Sequence, residues 1–283
     1  NIAVMRRIFA GGLPFLIWVI FGEIYVRIDV LMLSLMTSDA VVGWYGAAFR
    51  IYGTLLFVPH VLNTAVFPAL ARLGSQGEES AAFSQATERL MTYLLAVAVP
   101  IGAGCALVAT PFVRLLYGAG PFLQAAVPLK IFGLSIVLVC VDVCLGSILI
   151  SKGKEKSWSL MALAAAVFNP VMNAWMIPLS QQLWGNGGIG AAIATLLTEA
   201  VMMTGALALL PGGILSRRSL GVALRAGLAA LGMTAAVWAL PADSLLLIIP
   251  TAAAVYAVLA LLLRVIPLRD LHHLYHALLK ERG

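Results

Sequence analysis

The sequence predicts an all-α integral membrane protein with about eight transmembrane helices. Hydrophobic residues make up 62% of its 283 positions and charged residues only 11%, and the mean hydropathy is +1.01. A soluble domain is roughly 45–50% apolar and about 25% charged, because water must solvate its surface. A helix bundle surrounded by lipid needs no such surface, so the shortage of charge is typical of a polytopic membrane protein.

The second observation is a series of apolar runs, each near the ~20 residues that a helix needs to cross ~30 Å of hydrocarbon. They fall at 13–36, 41–71, 88–109, 125–151, 158–178, 188–210, 220–240 and 244–266. Polar or glycine- and proline-rich turns separate them. The alternating pattern of a membrane β-barrel is missing, so the spanning elements are expected to be helices.

The third observation is the distribution of lysine and arginine. Fourteen of the 18 basic residues lie in loops on the side of the N-terminus, two lie on the opposite side, and Arg27 and Arg50 fall within spans. Because basic loops stay inside the cell, this bias predicts a bacterial inner-membrane protein with both termini in the cytoplasm. The net charge of +6 therefore reflects orientation, and no aromatic-rich basic patch indicates nucleic-acid binding.

The ends of the chain support two expectations. The chain begins with Asn1 and shows no cleavable signal peptide, so we expect further residues to precede it. Residues 268–283 alternate leucines with basic residues and histidines. That tail is predicted to be either an amphipathic helix on the membrane surface or a mobile basic segment.

Enzyme, metal and cofactor motifs are not found. Cys105, Cys140 and Cys144 lie in apolar runs, and Asp142 lies about 200° round the helix from its two cysteine neighbours, so no metal site is expected. The glycine-rich run 185–190 lacks the preceding strand of a nucleotide-binding loop and is interpreted as a turn into the next helix. We therefore predict no cofactor, no metal and no catalytic activity.

Ionisable side chains inside the spans are the candidate functional residues, because each costs ~2.5–3.5 kcal/mol to insert and needs a partner or a wet cavity. They are Glu23, Arg27 and Asp29 in the first span, Arg50 in the second, Asp142 in the fourth and Glu199 in the sixth. Glu23 and Arg27 are one helical turn apart and are predicted to pair. Asp29 is predicted to pair with Arg50, because both lie ~10–14 Å below the same surface across a short turn. Ion pairs that only fix helix packing are the alternative.

Two of these acids and two asparagines each have two interpretations. Asp142 and Glu199 have no basic partner on their own helices, so each is either a protonated acid able to carry a proton or a neutral acid bonded to a neighbouring helix. Asn169 and Asn173 share one face of the fifth span beside Pro170. These two amides either line a cavity or hold helices together.

Several short stretches come in a familiar order and spacing: Arg27–Leu33, Val42–Ile51, Phe67–Leu73, Leu115–Gly118 and Gly187–Ala194. In this order they resemble the bacterial oligosaccharide flippases of the multidrug/oligosaccharidyl-lipid/polysaccharide exporter superfamily. The resemblance covers about residues 8–210, and residues 215–283 match only in hydropathy.

The resemblance implies that residues 1–214 are the second six-helix lobe of a two-lobe transporter. Residues 215–283 would then be two additional transmembrane helices and a basic amphipathic tail. The missing N-terminal lobe would come from the same chain or from a partner, and the two lobes would open a central cavity alternately to each side. The implied cargo is a lipid-linked oligosaccharide, a polyprenyl-pyrophosphate sugar that crosses the inner membrane for polysaccharide or O-antigen biosynthesis.

The candidate residues are assigned to this activity by their chemistry. Arg27 and Arg50 suit a pyrophosphate head group, with Glu23, Asp29, Asn169 and Asn173 completing the substrate site, and Asp142 and Glu199 are candidates for ion coupling. Three other functions remain open. They are a flippase for the peptidoglycan lipid precursor, a multidrug cation antiporter, which two buried arginines disfavour, and a membrane scaffold that transports nothing.

Overall fold

The computed structural model describes residues 27–74, 81–210, 217–240 and 244–265, and within these ranges the chain is almost entirely α-helical and has no strand. Helix α1 is described over 27–36, and the earlier part of its predicted span lies outside the described ranges. The other helices are α2 (Asp39–Leu55), α3 (Phe57–Gly74), α4 (Ala81–Tyr117), α5 (Ala126–Ser151), α6 (Glu155–Trp184), α7 (Gly187–Leu209), α8 (Arg217–Trp238) and α9 (Leu245–Leu262). A short 3-10 helix, Pro121–Ala125, precedes α5.

Seven stretches of the described residues are long and apolar enough to cross a membrane. They correspond to the second to eighth predicted spans, so the predicted all-α membrane fold is confirmed. The structure differs in the second span, where the helix is interrupted at Leu56 between α2 and α3. Pro59 explains the interruption, because it has no N–H to donate to the carbonyl of Leu55 four residues earlier.

Helix α5 lies at the centre of the bundle, where it packs against α2, α3, α4 and α7. Its side chains are buried on nearly every face, as at Phe132, Leu145 and Ile148. Small residues allow its closest crossing, since a Cβ at Gly102 of α4 would collide with the carbonyl oxygen of Gly133 in α5. Helices in lipid associate through such small-residue contacts because apolar burial alone does not drive them together.

Helices α6 and α7 form a second close pair. A Cβ at Gly190 would collide with the carbonyl oxygen of Met176, and the backbone N–H of Gly190 donates to Ser180 Oγ at 3.0 Å. The turn between them ends α6 at Gly185, which adopts a left-handed conformation with φ of 65°. Asn186 then accepts a hydrogen bond from the N–H of Gly188 at 3.1 Å. The glycine-rich run is thus a turn into α7, as its sequence predicted.

Helices α8 and α9 pack against each other and against α4. Met233, Val237, Ile248 and Ala252 form a small apolar cluster there, separate from the main core. The Tyr256 hydroxyl of α9 donates to the carbonyl oxygen of Ala96 in α4 at 2.9 Å. That carbonyl needs a partner because Pro100, four residues later, has no N–H to offer it. Tyr256 therefore fixes the last helix to α4 by donating to a carbonyl oxygen that has no intrahelical partner.

Candidate functional site

A buried carboxylate, that of Asp29, lies where four helices meet. Asp29 in α1 is only 6% exposed. Its carboxylate accepts hydrogen bonds from Tyr45 Oη in α2 at 2.6 Å, from Asn173 Nδ2 in α6 at 2.6 Å and from Thr195 Oγ1 in α7 at 2.8 Å. Hydrogen bonds to a charged group stabilise by about 1.5–3 kcal/mol each, so these three donors offset much of the cost of burying Asp29.

The network extends beyond the carboxylate along α6 and α7. Asn173 Nδ2 also donates to Asn169 Oδ1 at 2.9 Å, and Asn169 Nδ2 donates to Thr198 Oγ1 at 3.4 Å. The predicted shared face of the two asparagines is therefore real. We call Asp29, Tyr45, Asn169, Asn173, Thr195 and Thr198 the Asp29 cluster.

The Asp29 cluster has the chemistry of a site for a hard cation. One acceptor, Asn173 Oδ1, is buried and meets no hydrogen-bond donor among the described residues. Carboxylate, amide and hydroxyl oxygens are the ligands that sodium-like hard cations prefer. A transition-metal site is not formed by the described ranges, which bring together no group of three or more histidine, cysteine, aspartate or glutamate side chains.

The predicted ion pair between Asp29 and Arg50 is wrong. The hydrogen bonds of the Asp29 carboxylate go to Tyr45, Asn173 and Thr195, and Arg50 is exposed on α2. Tyr45 and Arg50 are five residues apart, which places them about 140° apart round the helix. When Tyr45 faces α1, Arg50 must point elsewhere. The prediction considered only the depth of Asp29 and Arg50 below the membrane surface. It did not consider which face of its helix each residue lies on.

Arg50 instead lines a large cavity between α2, α4, α5, α8 and α9. The cavity has a volume of about 730 Å³, and its walls are mainly apolar side chains such as Ile51, Ile101, Val108 and Met233. Arg50 is the one charged residue that the described parts of the chain contribute to it. None of Asp29, Asn169 and Asn173 lines this cavity, so the predicted substrate site is divided between two places.

A second acidic site joins α5 and α7. The carboxyl group of Asp142 lies against that of Glu199, close enough for a direct hydrogen bond. Asp142 is 4% exposed, and neither of its carboxyl oxygens receives a hydrogen bond from a donor in the described residues. The sequence predicted both residues as ion-coupling candidates, but not that they meet.

The remaining candidates are placed as follows. Glu23 lies outside the described residues, as does the tail 268–283. Arg27 is exposed at the start of the described part of α1. The three cysteines are buried free thiols.

Three members of the Asp29 cluster were missed in the sequence: Tyr45, Thr195 and Thr198. A signal for Thr195 was present, because Thr195, Thr198 and Glu199 form a polar stripe at helical spacing on the otherwise apolar α7. Tyr45 gave no such signal, since a tyrosine in an apolar span is common near a membrane interface.

Acid and amide side chains buried where helices meet, among helices long enough to span a membrane, define a class: polytopic helical membrane proteins with ionisable groups inside the bundle. The family model described as "Polysaccharide biosynthesis protein" matches residues 1–74. The lipid II flippase MurJ in an inward closed conformation superposes with a TM-score of 0.73 and 16% identity, over 96% of this chain and 56% of that one. A MATE protein in its bent conformation superposes with a TM-score of 0.56 and 20% identity, over 77% of this chain and 51% of that one. No curated protein sequence matches at a significant level.

The family-model match supports the resemblance to polysaccharide biosynthesis proteins over residues 1–74, and the two superpositions show that the chain shares the fold of a lipid II flippase and of a MATE protein. The chain spans about half the length of the two solved structures that it matches, at 56% and 51%.

Proposed function

We propose that this chain is one lobe of a flippase that moves polyprenyl-pyrophosphate-linked oligosaccharide across the bacterial inner membrane for polysaccharide or O-antigen biosynthesis. In this proposal residues 1–214 form the second six-helix lobe, and residues 215–283 add two helices and a basic tail. The first lobe belongs to the same chain or to a partner, and both termini of this chain lie in the cytoplasm. The observation that carries the proposal is Arg50, the one charged side chain that the described residues place in the apolar cavity.

The chemistry of that cavity matches the two parts of such a lipid. Walls of isoleucine, valine, leucine and methionine suit an isoprenoid chain. A guanidinium keeps its proton in apolar surroundings and binds phosphate oxygens through two parallel hydrogen bonds. Arg27, with Glu23 four positions earlier in the sequence, is proposed as a second contact for the pyrophosphate.

The Asp29 cluster has a different role in this proposal, that of a coupling-cation site. Its members Asp29, Asn169 and Asn173 are 6%, 4% and 0% exposed and lie outside the cavity, so they are poorly placed to hold a bulky lipid head group. A cation that binds the Asp29 carboxylate must compete with donors from α2, α6 and α7. Its arrival or loss would therefore change how those helices are held to α1, and binding would be linked to conformation.

The peptidoglycan lipid precursor is the second candidate cargo. The observation that favours it is the superposition with a lipid II flippase over 96% of this chain. A multidrug cation antiporter is disfavoured, because Arg50 would repel a cationic cargo from the cavity.

Replacing Arg50 tests the proposed cargo contact. In the two-lobe protein reconstituted in proteoliposomes, Arg50→Ala should slow flipping of a fluorescent polyprenyl-pyrophosphate oligosaccharide at least ~10-fold, equal to ~1.4 kcal/mol in the transition state. Arg50→Lys should be intermediate, since lysine keeps the charge and loses the paired hydrogen bonds. Arg89→Ala is the matched control, because Arg89 is exposed on α4 outside the cavity. A normal flipping rate for Arg50→Ala would show that Arg50 does not bind the pyrophosphate of the cargo.

A further inference from the structure

The pair formed by Asp142 and Glu199 has an unusual hydrogen-bond balance. The two carboxyl groups face each other from α5 and α7, inside the bundle. Both oxygens of Asp142 are buried and meet no donor among the described residues. A buried polar atom without a partner costs about 1–3 kcal/mol, and more if it is charged. Two ionised carboxylates would therefore be unstable here unless a positive charge or a hydrogen-bond donor compensated them.

No positively charged side chain among the described residues compensates the two acids. Within the described ranges, Glu199 is the one ionisable group that acts on Asp142, and Asp142 is the one that acts on Glu199. Neither carboxyl group forms an ion pair with a basic side chain of the helices packed against α5 and α7. Those side chains are Arg50, His60, Arg72, Arg89, Arg114 and Lys156, and Lys130 of α5 itself forms no ion pair with either carboxyl group.

One proton eases both problems. If Glu199 is protonated, its O–H donates to one of the two Asp142 oxygens that lacked a donor, and if Asp142 is protonated, its own O–H donates to Glu199. The net charge of the pair then falls from −2 to −1, which removes the repulsion between two adjacent anions in a low-dielectric interior. Two carboxyl groups in direct contact share a proton for the same reason in aspartic proteases.

The pair is close to the Asp29 cluster but is a separate site. Glu199 follows Thr195 by four residues on α7, which is about 6 Å along the helix axis. Thr195 donates to Asp29, whereas Glu199 meets Asp142 on α5. Helix α7 therefore contacts two carboxyl groups on two neighbouring helices. Thr195 contacts Asp29, and Glu199, one turn later, contacts Asp142.

We propose that Asp142 and Glu199 share one proton inside the membrane and form a proton-binding site distinct from the Asp29 cluster. The site takes its proton from water, forming one O–H bond on a carboxyl oxygen and leaving hydroxide to the bulk solution. Loss of the proton leaves two anions in contact and favours separation of α5 from α7. This role in coupling rests on the flippase proposed above. There, binding of the proton would favour the conformation in which α5 and α7 are in contact, and its loss would favour the conformation in which they separate.

Infrared spectroscopy of the protein tests the proposal without any transport substrate. The purified chain in nanodiscs of phosphatidylethanolamine and phosphatidylglycerol, at neutral pH without sodium, should show the C=O stretching band of a protonated carboxylic acid, shifted in D₂O. Asp142→Asn and Glu199→Gln should each shift or remove that band. The double variant Asp142→Asn/Glu199→Gln should lose the intensity of one carboxyl group per chain. Asp39→Asn, at the exposed start of α2, is the matched control and should leave the band unchanged.

Two results would overturn the proposal. One is a wild-type spectrum without a protonated carboxyl band at neutral pH, and the other is a double variant that keeps the full wild-type band. Circular dichroism on each sample checks that the helices remain, and the single variants carry the test if the double variant does not fold. Since no cargo is used, the result is independent of whether the protein flips lipid-linked oligosaccharide.

Discussion

Asp29 holds four helices through one side chain. Its three hydrogen bonds reach α2, α6 and α7, while its own backbone belongs to α1. A neutral asparagine at this position would keep a similar shape but would lose the negative charge that attracts a cation. The residue therefore combines a structural role with an electrostatic one, and a measurement of cation binding separates the two.

We expect sodium to stabilise the folded protein, and Asp29→Asn to abolish that effect. Sodium at about 100 times its Kd should add about 2.7 kcal/mol to the free energy of unfolding, if it binds only the folded state. The measurement is thermal unfolding in nanodiscs with sodium chloride or choline chloride at equal ionic strength. Asp39→Asn, on the exposed end of α2, should keep the wild-type response. An equal sodium effect in wild type and in Asp29→Asn would contradict the cation assignment.

At the scale of the helices, close crossings depend on glycine. Gly102 with Gly133 brings α4 against α5, and Gly190 brings α7 against the carbonyl of Met176 in α6. The α6–α7 crossing is also the one that places Asn173 and Thr195 beside the same carboxylate. The geometry of the Asp29 cluster therefore rests on the small size of Gly190.

Gly190→Ala should destabilise the protein by about 1–3 kcal/mol, because the added methyl group would force α6 and α7 apart. Gly227→Ala on α8 is the matched control, since a Cβ there meets no heavy atom within 4 Å. The measurement is unfolding by SDS in mixed micelles, followed by loss of helical circular dichroism. We also expect Gly190→Ala to weaken the stabilisation by sodium, whereas Gly227→Ala should leave it intact. Equal stability of the two variants would show that the crossing tolerates a wider spacing.

The helices could be predicted from sequence because hydropathy reports directly on the environment of each span. The contacts between helices could not, since they depend on rotation about each axis. Asp29 shows the difference: its burial in the first span was predicted, and its partner was assigned to Arg50 from depth alone. The contact of Asp142 with Glu199 joins helices far apart in the chain, and hydropathy carries no information about which distant spans are neighbours.

At the scale of the whole molecule, the fold corresponds to about half of a larger protein. It superposes on 56% of a lipid II flippase, with α8 and α9 packed on the side of α4. The cavity with Arg50 is bounded by both α2 and α9, so in our proposal the added helices help to form the cargo site. The central claim concerns the cargo of the complete two-lobe protein.

A direct transport assay tests that claim. Proteoliposomes of the two-lobe protein should be loaded with fluorescent polyprenyl-pyrophosphate oligosaccharide, lipid II or a cationic dye, and the accessibility of each label to a membrane-impermeant quencher followed in time. The account predicts that the oligosaccharide lipid is flipped faster than lipid II and that the dye is not transported. Transport of the dye without flipping of either lipid would contradict the account.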